Sequence, residues 1–364
     1  MPPRLEDLLH RALVPAGTDV DLMTVFAGEA ILVTGAAGSI GSELARQLAR
    51  LQPRQLVLLD RAEGPLFELQ NEMAGTGADG SIDFELVDIV NRNALARVVR
   101  ATRPGVIFHA AAYKHVSMME EHPLAAIEVN IGGTRNVLDA AEESGVPRLV
   151  LVSTDKAVEP TNVMGATKRL AELMVIERSE RLGRPWVSVR FGNVLGSSGS
   201  VVPIWERQLA AGQPLTVTHP DMTRYFMTVA EAVHLILTAG AMAKPGDLLI
   251  FDMGEPIRIL DLAHDYLQLM GHDDGAIGIE VTGLRPGERL TERLSDPSET
   301  VVTTAHAKIL RAVREGGRSV RTAALIDELL RLAASGDLER ARRRLFDATA
   351  VIVASTTPSS APRT

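Results

Sequence analysis

The feature that most constrains the fold is a short apolar run, Ala30 to Thr34, that breaks at once into Gly35-Ala36-Ala37-Gly38-Ser39-Ile40-Gly41. Behind it runs an apolar stripe at helical spacing: Ile40, Leu44, Ala45, Leu48 and Leu51. Strand, glycine turn and helix in that order present backbone N–H groups to a pyrophosphate. The first glycine permits the tight turn, the next lets the ligand approach the backbone, and the last lets helix and strand pack closely. A glycine triplet alone often only makes a turn, so the flanking elements carry the argument. A second strand, Gln55 to Leu59, ends in Asp60, about twenty residues on, where a ribose-binding carboxylate belongs. An acid there favours NAD over NADP by repelling a 2′-phosphate, and the adjacent Arg61 partly offsets that preference.

The alternation continues along the chain. Ile82 to Val87 reads as a third strand ending in Asp88-Ile89, and Val106 to Ala110 as a fourth, after a short helix marked by Leu95, Val98 and Val99. Leu124 to Ser144 reads as one long helix containing Asn130 and Gly133, Arg148 to Val152 as a buried strand, and Trp186 to Val189 as a sixth. The predicted fold class is α/β: a doubly wound parallel Rossmann sheet with a smaller C-terminal substrate-binding α/β region. The expected divisions are a lead-in at 1–27 carrying Leu5, Leu8 and Leu9, a dinucleotide-binding domain at 28–191, and a substrate region at 192–300. Residues 301–353 are expected to form a helical extension, solvated or in an oligomer contact, and 354–364 a disordered tail rich in Ser, Thr and Pro.

Composition excludes several functions. With no cysteine there is no disulfide, thiolate nucleophile or Cys-ligated metal. A net charge of -8 argues against a general nucleic-acid or anionic-membrane binder. No apolar run is long enough to span a bilayer and no N-terminal signal pattern is present, so a soluble, cytoplasmic protein is expected.

Chemistry concentrates after the strand ending at Val152, where Ser153-Thr154-Asp155-Lys156 sets a hydroxyl, a carboxylate and an amine side by side. Met164 and Lys168 follow at the start of a helical pattern marked by Leu170, Leu173, Met174 and Ile176. The carboxyl end of a sheet strand is where α/β enzymes place their reactive groups. After the fourth strand, Ala110-Ala111-Ala112 suits a backbone passing close under a cofactor, with Lys114 a candidate substrate contact. His109 reads as structural, and His115 and His122 lack partners for a metal site. Gly192 to Pro203 is expected to be a loop rich in backbone donors. Two later loops carry Arg224 and Arg285-Pro286-Gly287-Glu288.

The spacing of Gly35, Gly38 and Gly41 resembles that of the extended short-chain dehydrogenases/reductases. Longer motifs sharpen the likeness: Phe108 to Val116, Ser153 to Arg169, Arg190 to Pro203, Phe251 to Pro256 and Gly283 to Glu288. Together they resemble the nucleotide-sugar 4,6-dehydratases of polysaccharide biosynthesis, over roughly residues 25–295. Leu5 to Arg11 looks like the segment before the catalytic half of larger, membrane-anchored members, so the chain resembles a free-standing catalytic half.

The resemblance implies NAD as a tightly held cofactor, contacted by Gly35, Gly38, Ser39, Ile40, Gly41, Asp60, Arg61, Asp88, Ile89, Ala110, Ala111, Ala112 and Lys168. It implies UDP-N-acetylglucosamine as substrate, a homo-oligomer, and no nucleic-acid partner. Lys156 is implied as the base at carbon 5, Asp155 as the acid for the departing 6-hydroxyl, and Thr154 as a contact of the 4-hydroxyl. These roles need a neutral Lys and a protonated Asp, which an apolar setting favours and their mutual attraction opposes. Lys114, Asn193, Val201, Arg224, Arg285 and Glu288 are implied substrate contacts, the arginines facing the pyrophosphate.

In most of the superfamily a Tyr stands where Met164 does and takes the alcohol proton. A thioether has no proton to exchange. The branch that retains configuration at carbon 5 resembles this Thr-Asp-Lys…Met…Lys arrangement, whereas the inverting branch has Tyr. Retention is therefore expected. A 4-epimerase, an inverting dehydratase, a 5,6-dehydratase and a non-catalytic dinucleotide-binding module remain open alternatives, as does the group that deprotonates the 4-hydroxyl.

Overall fold

A computed structural model describes residues 5–11, 20–74, 81–272, 277–314 and 322–354. The predicted tail, apart from Ala354, lies outside these residues. Six parallel strands alternate with helices as predicted: β1 (Ala30–Thr34), β2 (Gln55–Asp60), β3 (Ser81–Leu86), β4 (Val106–His109), β5 (Arg148–Val152) and β6 (Trp186–Arg190). The intervening helices are α1 (Ser39–Ala49), α2 (Glu63–Met73), α3 (Arg92–Thr102), α4 (Thr134–Glu143) and α5 (Val163–Leu182). After β6 come α6 (Val201–Ala210), α7 (Val229–Met242), strand β7 (Leu248–Phe251) and α8 (Ile259–Leu269). The hairpin β8 (Glu299–Thr303) and β9 (Ile309–Arg314) and the helices α9 (Ala323–Ser335) and α10 (Leu338–Ala354) end the described chain.

The sheet runs β3-β2-β1-β4-β5-β6-β7-β9-β8, parallel through β7 and antiparallel at the hairpin. Strand order reverses between β1 and β4, and the crevice at that switch point is where a doubly wound sheet receives its ligand. The central strands β1, β4 and β6 are buried at every position, because helices cover both faces of a parallel sheet.

Three expectations change. Residues from 301 do not begin as a helical extension: the β8–β9 hairpin extends the sheet first, and α9 and α10 follow, packed against α5 and the 127–133 segment. The long helix expected from Leu124 is interrupted by a wider π turn at Ile127–Gly133. There Asn130 accepts from the Tyr113 N–H at 2.8 Å and donates to the Tyr113 carbonyl at 3.1 Å and to Thr167 at 3.0 Å. Such turns cluster at functional positions. The loop expected through Pro203 ends sooner, since α6 starts at Val201 and tolerates Pro203 in its first turn.

The substrate region has a core of its own, in which Trp205, Tyr266, Phe226 and Leu262 pack with Leu8 and Leu9 of the lead-in. It is nonetheless bound into the sheet by β7 and by a buried charge cluster. Arg190 on β6 grips Glu172 of α5 through two hydrogen bonds at 2.7 and 2.6 Å, and Glu299 of β8 through two at 2.7 and 3.2 Å. Arg169 bonds the same two carboxylates at 3.2 and 3.1 Å. Burial pushes the Glu299 carboxyl up, but Arg190 and Arg169 outweigh it and hold it at about 2. A depressed carboxyl stabilises the fold above its unfolded value of 4.5, and that contribution drains away as pH falls from about 4.5 to about 2. Glu299→Gln is expected to cost about 3–5 kcal/mol at pH 7, read by denaturant unfolding, and to flatten the loss of stability in that acid window.

Candidate active site

The turn between β1 and α1 is built for close approach. Gly35 has φ +71°, and a Cβ on it would lie 2.6 Å from the Ala111 backbone nitrogen, so only glycine lets the β1 and β4 loops meet. Gly38 caps α1 without a side-chain bond, leaving the first N–H groups of the helix directed at the crevice. A cavity at the switch point is lined by Gly35, Gly38, Asp60, Arg61, Asp88, Ile89 and Ala110 to Ala112, together with Tyr113. Nine of the expected cofactor residues thus share one cleft, with Ser39, Ile40 and Gly41 on the helix behind it. Asp60 accepts from the Ala37 and Ala62 N–H groups, so it also shapes the glycine turn. Arg61 lies over the Tyr113 ring at 4.6 Å, forming a flat wall of the same cleft.

His109 is fully buried between Thr34 at 2.7 Å and Thr134 at 2.9 Å. Burial, helped by Lys168, lowers its pKa to about 3, so it is a neutral structural imidazole. Lys168 donates to the Val152 carbonyl at 2.6 Å, and burial lowers it to about 8 against the opposing pull of Glu172.

Beyond β5, the Ser153 and Asp155 N–H groups bond Val189 and Phe191, continuing the strand pairing into the reactive turn. Thr154 caps that turn and donates to Asp155 Oδ1 at 2.8 Å. Lys156 Nζ donates to the same oxygen at 2.9 Å and to Asn193 at 3.2 Å. Asp155 is fully buried, and its Oδ2 has no hydrogen-bond partner. One carboxylate oxygen therefore joins the hydroxyl to the amine, and the other is buried without a partner. Met164 is buried on α5 among apolar neighbours.

Other expected residues are placed differently. Arg224 is buried and donates to the carbonyls of Thr223, Arg289 and Leu290 at 2.7, 2.7 and 3.1 Å, so it pins the 289–292 segment instead of offering its fork to a pyrophosphate. Arg285 and Glu288 form a tight turn, with the Arg285 N–H donating to Glu288 at 3.0 Å and the Arg285 side chain exposed. That turn is fastened to α5 by Asn162, which donates to the Gly287 carbonyl at 3.1 Å. Val201 begins α6, and Lys114, beside His115, is exposed. Among the described residues no group of three or more His, Asp or Glu is placed to hold a metal, and no helix is long and apolar enough to cross a membrane.

Sequence reasoning missed Glu292, Arg289 and the Arg169–Glu172–Arg190–Glu299 cluster. For Glu172 a signal existed: a carboxylate set among Leu170, Ala171, Leu173, Met174 and Val175, three residues after Arg169. Glu292 stands in a locally polar stretch with nothing to set it apart.

The polysaccharide biosynthesis protein family matches residues 31–314. The chain belongs to that family. It is 44% identical over 307 residues to the probable polysaccharide biosynthesis protein EpsC of Bacillus subtilis, a match covering 84% of this chain and 51% of EpsC. The chain thus spans about half the length of these curated relatives. It is 30% identical over 284 residues to a UDP-N-acetylglucosamine 4,6-dehydratase (inverting) of Campylobacter jejuni, covering 77% of this chain and 81% of that protein. UDP-glucose 4-epimerases are also among its relatives. Among solved structures, Pen from Bacillus thuringiensis superposes with a TM-score of 0.73 at 30% identity, covering 84% of this chain and 98% of Pen. The Rossmann-like sheet is that of the extended dehydrogenase/reductase enzymes.

The cradle at Gly35 has a direct test. Gly35→Ala drives a methyl into the Ala111 backbone, and dinucleotide affinity, measured by calorimetry, is expected to fall about tenfold or more while the fold persists.

Proposed function

We propose that this chain catalyses the NAD-dependent 4,6-dehydration of a UDP-N-acetylhexosamine, UDP-N-acetylglucosamine foremost, to the 4-keto-6-deoxy sugar with retention at carbon 5. The observation that carries the reading is the single Asp155 oxygen shared by Thr154 at 2.8 Å and Lys156 at 2.9 Å, with the second oxygen buried and unpartnered. The 30% identity to an inverting UDP-N-acetylglucosamine 4,6-dehydratase supports the reaction class.

NAD, held by the glycine turn, the Asp60 side of the cleft and Lys168, supplies a reversible hydride acceptor. The chain's own residues manage protons. Net loss of water from this sugar moves one proton from the 4-hydroxyl to the 6-hydroxyl, because the carbon 5 proton is removed and later restored. Thr154 receives the 4-hydroxyl proton as it passes its own to Asp155 Oδ1, a path that needs no Tyr at position 164. Asp155 then holds a proton that it can give to the departing 6-hydroxyl. Lys156 removes the carbon 5 proton and, lying on one face, returns it to that face. One base working in both directions retains configuration, whereas inversion needs a second acid opposite.

Asp155 and Lys156 stand as an ion pair, so the protonated Asp and neutral Lys expected from the sequence are states made during the cycle. Asn193 orients Lys156. The Arg285–Glu288 turn, Lys114 and Val201 at the start of α6 are the proposed contacts of the UDP group. We propose a cytoplasmic, self-associating protein for this role.

Incubation with UDP-N-acetylglucosamine is expected to give a product lighter by one water on mass spectrometry, with carbon 5 unchanged in configuration and deuterated there when made in heavy water. An epimerised product of unchanged mass would overturn the reading. Thr154→Val is expected to slow hydride transfer about 10²-fold or more, and Lys156→Ala to abolish water loss while reduced cofactor still forms, followed by absorbance of the reduced nicotinamide.

A further inference from the structure

Lys156 has to shed a proton before it can act as a base, and the site has to hold that proton somewhere. Asp155 cannot, since it is taking the proton from the 4-hydroxyl. Glu292 offers a second carboxyl. It is 7% exposed and sits on the segment that covers the reactive turn. Arg224 fixes that segment from one side through the Arg289 and Leu290 carbonyls. Arg289 fixes it from the other, through Thr161 at 3.0 Å and the carbonyls of Val158 and Glu159.

The charged groups whose fields act on Glu292 are Lys156, Asp155, Arg224 and Arg289. Arg224 is its one ionic contact among the described residues, at 4.0 Å. Burial raises the Glu292 pKa above the ordinary carboxylate value, Asp155 adds to that, and the three cations do not reverse it. This carboxyl therefore takes up a proton more readily than an exposed glutamate does.

Resting on the dehydratase reading, we infer that Glu292 is the proton store of the elimination step, acting through Lys156 and not on the sugar itself. Once Asp155 is protonated, Lys156 loses its ion-pair partner and turns towards Glu292. The ammonium N–H bond breaks as a carboxyl O–H bond forms, giving a free amine and an uncharged acid. The amine then takes the carbon 5 proton, and Asp155 protonates the oxygen that leaves as water, becoming a carboxylate again. After hydride returns to carbon 6, Lys156 restores the proton to carbon 5. Glu292 gives its own proton back to Lys156, and every group ends as it began. The exchange within the pair changes no net charge and needs no proton from solvent.

Glu292→Gln keeps the shape and removes the store. With the proton held internally, wild-type water loss is expected to be nearly independent of pH between about 6.5 and 8. In Glu292→Gln, water loss at pH 7 is expected to fall about 10²-fold and to recover about tenfold per pH unit as solvent base takes over, while formation of reduced cofactor on mixing with substrate is unchanged. Glu292→Asp is expected to restore most of the rate and the flat profile. A Glu292→Gln profile parallel to wild type overturns the inference alone. Loss of cofactor binding in both variants makes Glu292 merely structural and overturns it too. A wild-type chain that forms no dehydrated product overturns the dehydratase reading and this inference with it.

Discussion

Arg190 is the residue on which the geometry turns. It is fully buried at the end of β6, and its guanidinium grips one carboxylate from α5 and one from β8. Isolated, a buried guanidinium would be prohibitive, because desolvating the charge costs more than any single pair recovers. The two arginines stand among carboxylates, Glu172 and Glu299 in direct contact and the buried Asp296 at 3.9 Å from Arg169, and bidentate forks satisfy the glutamate oxygens directionally. The arrangement specifies one geometry where an apolar core would accept several. Glu172 also accepts from Ser153 at 2.7 Å, so the residue just before Thr154 is tied to the same cluster.

The cluster solves a topological problem. Between β6 and β8 the chain adds β7 to the sheet and otherwise runs outside it, and the two ends of this stretch are Arg190 and Glu299. One ion pair clasps both ends. The stretch can then carry a separate apolar core around Trp205 and Tyr266 and still bring residues 289–292 back over the 155–161 turn. The C-terminal hairpin thus has a part in the chemistry although none of its residues lies in the cleft. It fixes where the substrate region ends.

This division explains what the sequence made legible. The glycine turn, Asp60 and the strand-end run 153–168 are local patterns whose chemistry depends on neighbours in the chain, and nine of the expected cofactor residues line one cleft. The hairpin escaped notice because its strands pair with each other and with β7, and alternation that brief is overshadowed by the Arg- and Leu-rich helix behind it. Arg224 was misassigned for a physical reason: a guanidinium fork fits clustered backbone carbonyls as well as phosphate oxygens, and the choice between them is made by tertiary packing. The π turn at 127–133 answers to Asn130 reaching Tyr113, a contact across layers that no helical periodicity contains.

In the proposed dehydration, the base missing at Met164 is compensated by another proton path. In a site where Tyr takes the alcohol proton, that proton is delivered to the hydride side of the cleft and must still travel to the leaving oxygen. Here the hydroxyl of Thr154 is bonded directly to the carboxylate that faces the elimination side, so acceptor and donor are the same group. A Tyr at position 164 would compete with that path. Here a buried thioether fills that place, and the Thr154 hydroxyl donates to Asp155 Oδ1 at 2.8 Å. The same economy makes Lys156 depend on a second carboxyl, because Asp155 cannot carry two protons at once. The substitution of one residue on α5 and the burial of Glu292 far along the chain are thus two parts of one proton arrangement.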